Sequence, residues 1–238
     1  MLAARHDPWA RALFDPYLRH LFRRHFHALR LLGEAPRPDP ALPLLIVPNH
    51  GSWWDGFFVY FLNARLLGRR LHLMMLEEQL QRFPFFRRIG AFGIRPGSRS
   101  AVAAALDYSV SVLADPANAL CLFPQGRMTH PAARPLGFRP GLERILRRHG
   151  GPLALLPLAM ICDFYEDQRP EALFRFDRCH RSEPGARPTM DWLEQRVAAL
   201  LEQIGRAAQA RESGQILLSG RRQLSERWAR RGPARSAS

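Results

Sequence analysis

Leu44-Leu45-Ile46-Val47-Pro48-Asn49-His50-Gly51-Ser52-Trp53-Trp54-Asp55 is the stretch that decides the fold of this chain. Four aliphatic residues in a row suit a short strand buried on both faces. Pro-Asn-His-Gly then stops it, since Pro lacks a ladder N–H and Asn and Gly favour turns. Ser52 followed three residues later by Asp55 has the spacing of a helix start, so a helix is expected from Ser52. A buried strand passing through a turn into a helix is the unit from which α/β domains are built.

The same alternation continues outward. Apolar runs at Leu71–Leu76, Ala119–Phe123, Leu153–Leu158 and Leu173–Phe176 read as further strands, and helical spacing covers 99–114, 140–149 and 189–210. These predict an α/β fold: a mixed, mostly covered sheet flanked by helices, with N-terminal amphipathic helices ahead of it. Within 9–32, Trp9, Leu13, Leu18, Leu21, Phe22, Phe26 and Leu29 recur at mostly three- to five-residue steps, with arginines between them. That spacing predicts a helix, kinked or divided at Pro16. A basic helix with aromatic residues on its apolar face can pack on a core or lie in a bilayer interface. Pro-rich residues 33–43 form a connector. The expected organisation is an N-terminal membrane-docking segment over 1–38, one domain over 39–225 and a disordered basic tail over 226–238.

Composition narrows the partners. The 238 residues suit a single domain with a core. All 35 basic residues are Arg, against 21 acidic ones, for a net charge of +14. Codon bias explains Arg over Lys but not the excess of base over acid, which points to an anionic partner such as a membrane surface with anionic lipid. No nucleic-acid-binding motif accompanies the charge, so nucleic acid is not an expected partner. Three cysteines without a C-x-x-C pair argue against a disulfide framework and for a reducing compartment. No apolar run of about 18 residues occurs and Met1–Ala10 has no signal core, so any membrane contact is expected to be peripheral, at the cytoplasmic face.

His50 and Asp55 carry the chemistry. Five residues turn a helix through about 500°, so the two do not share a helix face. They meet if His50 sits in the turn and Asp55 in the first helical turn. Asp55 then fixes the imidazole tautomer and supports its positive charge while the other nitrogen takes a proton from a hydroxyl. The competing use of Asp55 is a plain capping box closing on the backbone. Ser52 lacks the G-x-S-x-G elbow of a serine nucleophile. The remaining His residues form no metal-ligand pattern with this pair, so no metal is expected. P-loop and dinucleotide fingerprints are absent, so no cofactor is expected.

Asn49 to Asp55 resembles the N-H-x-S-x-x-D block of the glycerolipid acyltransferase family, of the lysophosphatidate acyltransferase type. Three further stretches resemble that family's blocks in order: Arg88 to Arg95, Leu122 to Arg127, and Leu155-Leu156-Pro157-Leu158. The resemblance implies that 39–225 is an acyltransferase domain with His50 as general base and Asp55 as its partner. Asn49 and Ser52 beside them would bind substrate, and Gln125 and Gly126 would supply the third block and oxyanion donors. Arg95, Arg99, Arg127 and Arg134 would hold phosphates of the acceptor or of a coenzyme A donor. Acyl-CoA or acyl carrier protein would be the donor, and the hydroxyl of a lysophospholipid or other lipid the acceptor.

Two departures stand out. The second block usually reads I-D-R, where this chain has Ile94-Arg95-Pro96, so Arg95 or Arg99 takes the place of its Arg. The third usually reads F-P-E-G-T-R, where Gln125 replaces Glu and Arg127 follows Gly126 directly. They leave the acceptor open, including hydroxylated lipids without phosphate. A lipid or thioester hydrolase, with water in place of the acceptor, and a non-catalytic binder of anionic membranes are the alternatives.

Overall fold

The computed structural model describes residues 1–221, so the tail expected over 226–238 lies outside the described residues. In chain order the elements are α1 (Pro8–His25), β1 (Ala28–Leu31), β2 (Leu44–Pro48), α2 (Asp55–Leu62), β3 (Arg70–Leu76), α3 (Glu77–Arg82), β4 (Ala91–Ile94), α4 (Arg99–Val112) and β5 (Asn118–Cys121). They continue with α5 (Gly141–Arg148), β6 (Leu153–Asp163), β7 (Glu171–Phe176), β8 (His180–Ser182), α6 (Met190–Gln209) and β9 (Gln215–Ser219). The strands form one mixed sheet in the order β4-β3-β5-β2-β6-β7-β1-β9, with β8 paired to β6. The block β4-β3-β5-β2-β6 is parallel. Strand β7 returns antiparallel to β6, β1 runs parallel to β7, and β9 closes the edge antiparallel to β1.

Every residue of β2 is buried, and its two faces go to different layers. Leu44 and Ile46 pack with Phe14 and Phe22 of α1 and Phe58 of α2. Leu45 and Val47 pack with Leu106 of α4, Ile145 of α5 and Leu193 of α6. Covering on both sides is why the strand reads as a continuous apolar run. The parallel block also places the loops after β2, β4 and β5 at one edge of the sheet. Open α/β sheets bind ligands at the carboxyl ends of their strands.

The N-terminal region departs from the helical expectation over 9–32. Helix α1 ends at His25, Phe26 turns extended (φ −116°, ψ 148°), and Ala28–Leu31 is a strand. Ala28, Leu29 and Leu31 are all buried. A sheet position between β7 and β9 hides them together, where a helix would turn some outward. Pro16 does not divide α1. Phe14, Leu18 and Phe22 are locked in the core on either side of it, and this packing outweighs the one missing backbone bond. Phe22 meets the rings of Phe26, Trp54, Phe58 and Phe61, so α1 braces the turn and helix that follow β2. The apolar residues of α1 split into two stripes: Ala10, Phe14, Leu18 and Phe22 are buried, while Trp9, Leu13 and Tyr17 remain exposed.

Candidate active site

Pro48 ends the backbone ladder of β2, and Asn49 continues it with a side chain. Its amide donates to the carbonyl of Met160 (3.0 Å) and accepts from the Met160 N–H (2.8 Å). The start of the turn is thereby pinned to β6. Helix α2 begins at Asp55, three residues later than expected, because Ser52–Trp54 form the turn. There the Ser52 hydroxyl accepts from the Trp54 N–H (3.2 Å).

Asp55 is 2% exposed and its carboxylate accepts from four donors. Oδ2 takes His50 Nδ1 (2.9 Å), the Gly51 N–H (2.7 Å) and the Ser52 N–H (2.9 Å), and Oδ1 takes the Ser52 hydroxyl (2.7 Å). Hydrogen bonds of this number offset the cost of burying the group. The capping reading and the His-Asp reading therefore coexist in one carboxylate. Since a carboxylate only accepts, the imidazole carries its proton on Nδ1. Nε2 has no hydrogen-bond partner among the described residues and is the nitrogen left to take a proton. The Phe123 ring stacks on the imidazole (4.3 Å between centroids, 27°).

The loop after β5 clamps the His50 backbone. Gln125, 3% exposed, accepts from the His50 N–H through Oε1 (2.6 Å), and its Nε2 donates to the Thr129 hydroxyl. The Thr129 N–H in turn donates to the His50 carbonyl (2.8 Å). Thr129, Phe123 and Met160 are site neighbours that sequence reasoning missed. Phe123 lay in a recognised block, whereas Thr129 and Met160 carry no pattern that would single them out. Gly126 adopts a left-handed φ of +63°, and a Cβ there would lie 3.1 Å from Arg139. Its N–H closes the turn on the Phe123 carbonyl (3.0 Å). The neighbouring amides of Gln125, Arg127 and Met128 have no partner among the described residues.

The structure thus gathers His50, Ser52, Asp55 and Gln125 into one network, with Asn49 beside it tied to Met160 and Gly126 and Arg127 directly after Gln125. Arg95 and Arg99 follow β4 and bond none of these residues. Arg95 lies 3.3 Å from the buried carboxylate of Glu77, and Arg99 opens α4 behind the Ser98 cap. A cavity of about 570 Å³ adjoins Gln125 and is lined by Arg127, Thr129, Arg134, Leu136 and Arg139 among others. Burial first, and then the charge of Asp55, raises the Cys121 and Cys162 thiols, Cys162 to about 12. Both stay neutral thiols, so neither is a nucleophile in waiting. His27, Asp167 and Glu171 bring three potential metal-ligand atoms within 4.8 Å of one another. Both Glu171 oxygens already bond Arg30 (2.8 and 2.9 Å), which competes directly with a cation.

A family model described as acyltransferase matches residues 30–161, from β1 into β6, and so includes both loops of this network. No curated protein matches the chain.

Proposed function

Since the chain belongs to the acyltransferase family, we propose that it moves a fatty acyl group from acyl-CoA or acyl carrier protein to a hydroxyl of a lysophospholipid or other lipid acceptor. His50 is the general base. The observation that carries this reading is the 2.9 Å contact from His50 Nδ1 to a buried Asp55, which leaves Nε2 as the proton acceptor. Nε2 takes the hydroxyl proton as the acceptor oxygen attacks the thioester carbonyl. Asp55 supports the imidazolium that forms. When the tetrahedral intermediate collapses, the C–S bond breaks and the thiolate leaves with that proton. Amides beside Gly126, unpartnered among the described residues, are the oxyanion donors in this reading, and an arrangement prepared in advance is what makes such donors effective.

The acceptor is lipid, and the reading puts the protein on the cytoplasmic face of a membrane as a peripheral protein. None of the described helices is long and apolar enough to cross a bilayer. Trp9, Leu13 and Tyr17 form an exposed stripe on α1, Trp53 is also 63% exposed, and Arg11, Arg19, Arg23 and Arg24 lie on the same helix. An apolar stripe bordered by positive charge suits the interface of an anionic bilayer.

The test is acyl transfer by the purified protein, with labelled acyl-CoA and acyl carrier protein donors and a panel of lysolipid and hydroxylated acceptors. Transfer that disappears in a folded His50→Ala variant supports the reading and names the acceptor class. Donor hydrolysis without transfer points to the hydrolase. Vesicle binding with no turnover of any donor points to a non-catalytic membrane binder.

A further inference from the structure

Three arginines, Arg127, Arg134 and Arg139, all exposed, line the cavity beside Gln125. Among the described residues none of them pairs with a carboxylate. Arg134 donates only to the carbonyls of Pro131 and Ala133 (2.7 and 2.9 Å), and the other two guanidiniums have no hydrogen bond. Elsewhere in this Arg-rich chain close pairs are common: Arg30 with Glu171 (2.8 Å), Arg88 with Asp7, Arg148 with Asp107 and Arg196 with Asp177 (each 2.6 Å). Among the described residues no acidic residue lines the cavity, and Gln125, its link to the His50 turn, is neutral. Three like charges converging on one concavity repel each other, and an anion relieves that repulsion. Guanidinium forks match phosphate oxygens in geometry.

Position selects which phosphate. Leu136 packs with Ala159, Leu173 and Val197, and Glu194 of α6 accepts from the Gly137 and Phe138 amides (3.1 and 2.8 Å). The cavity therefore lies on the side of the sheet covered by α6. Helices α1 and α2, with the exposed apolar stripe, cover the opposite side. His50 adjoins the cavity, because Gln125 both lines it and holds the His50 N–H. A lipid acceptor entering from the α1 side leaves the cavity to the water-soluble reactant. We infer that this cavity seats the phosphate of the donor's phosphopantetheine arm, with Arg127, Arg134 and Arg139 as its ligands. The inference rests on the acyl-transfer reading for the identity of the donor. Both donor types carry this phosphate, and CoA adds further phosphates on its nucleotide.

Calorimetric titration of the full chain with CoA, with 4′-phosphopantetheine and with phosphate-free pantetheine tests the site without turnover. Arg134→Gln and Arg139→Gln are the variants, and both side chains are exposed, so the core is untouched. CoA and phosphopantetheine are expected to bind about tenfold more weakly to each variant, as for loss of one charge-assisted hydrogen bond. Weak binding of pantetheine is expected to be the same in all three proteins. In steady-state assays the donor KM is expected to rise about tenfold while the acceptor KM holds. A rise in the acceptor KM alone would assign the cavity to the acceptor headgroup and overturn the inference. CoA affinity equal to wild type in both variants would overturn it as well, leaving a solvated basic rim. If wild type turns over no substrate but the variants still lose CoA binding, the acyl-transfer reading falls and the phosphate site stands.

Discussion

Asp55→Asn separates the charge of Asp55 from its geometry. The Gly51 and Ser52 amides both point at Oδ2, so an Asn at this position keeps its oxygen there and turns its NH2 toward the Ser52 hydroxyl, which can accept. His50 Nδ1 still finds an oxygen acceptor, and the tautomer is preserved. What disappears is the negative charge facing the imidazolium. At roughly 3.5 Å and an effective dielectric constant of about 20, two unit charges attract by about 4–5 kcal/mol. The amide dipole retains part of this, so transition-state stabilisation falls by about 2–3 kcal/mol. The expected result is a rate loss of roughly 30- to 150-fold. Single-turnover acyl transfer at saturating donor and acceptor measures it, with thermal unfolding as the check on folding. His50→Ala is expected to fall much further, and the double variant no further than His50→Ala, because the two residues act as one unit. A rate within about threefold of wild type would reduce Asp55 to a cap for the turn. A loss as deep as that of His50→Ala would mean that the tautomer or the turn had failed, refuting the placement of the amide oxygen.

Gln125→Ala removes the buried acceptor of the His50 N–H and is expected to cost about 1–3 kcal/mol in denaturant unfolding. Gln125→Glu keeps an acceptor there and is expected to cost less; the reverse order would deny the clamp. Burial holds His6 and His72 near pH 4 rather than 6.5, His6 further lowered by His72 and both by Arg70. The unfolded chain therefore binds protons that the folded one refuses, so stability is full above about pH 6.5 and declines as pH falls toward 4. Discounted for partial exposure, the loss is about 1–2 kcal/mol, read from urea midpoints across that range, with His72→Gln flattening the profile. Leu13, 62% exposed, is expected to tolerate Glu within about 0.5 kcal/mol of stability while losing sedimentation with anionic vesicles. Unchanged sedimentation would move membrane contact elsewhere.

Local patterns sufficed for the centre of the molecule. The run from Leu44 to Val47, the stop at Pro48 and the Ser52-x-x-Asp55 start identified strand, turn and helix, since each rests on neighbours in the chain. The spacing of His50 and Asp55 left two roles open, cap or catalytic partner, and the structure brings the imidazole and the backbone amides to the same Oδ2. Strand β1 was illegible, because Leu29 is a strand residue through its partner Ala172, and that pairing forms only in the folded sheet. Strand β9, exposed along most of its length, carries too weak an apolar alternation to announce itself.

The sequence by itself determined the α/β class, the His-Asp pair and the acyltransferase family match over residues 30–161, all of which reside in short contiguous stretches. Only the tertiary structure decided that Gln125 grips His50 across 75 residues, and that the stripes of α1 divide between core and solvent. It also decided that Arg127, Arg134 and Arg139 share a cavity with no carboxylate partner among the described residues. Loop-to-loop contacts depend on which strand ends the sheet sets side by side, and strand order arises from the packing of the whole chain.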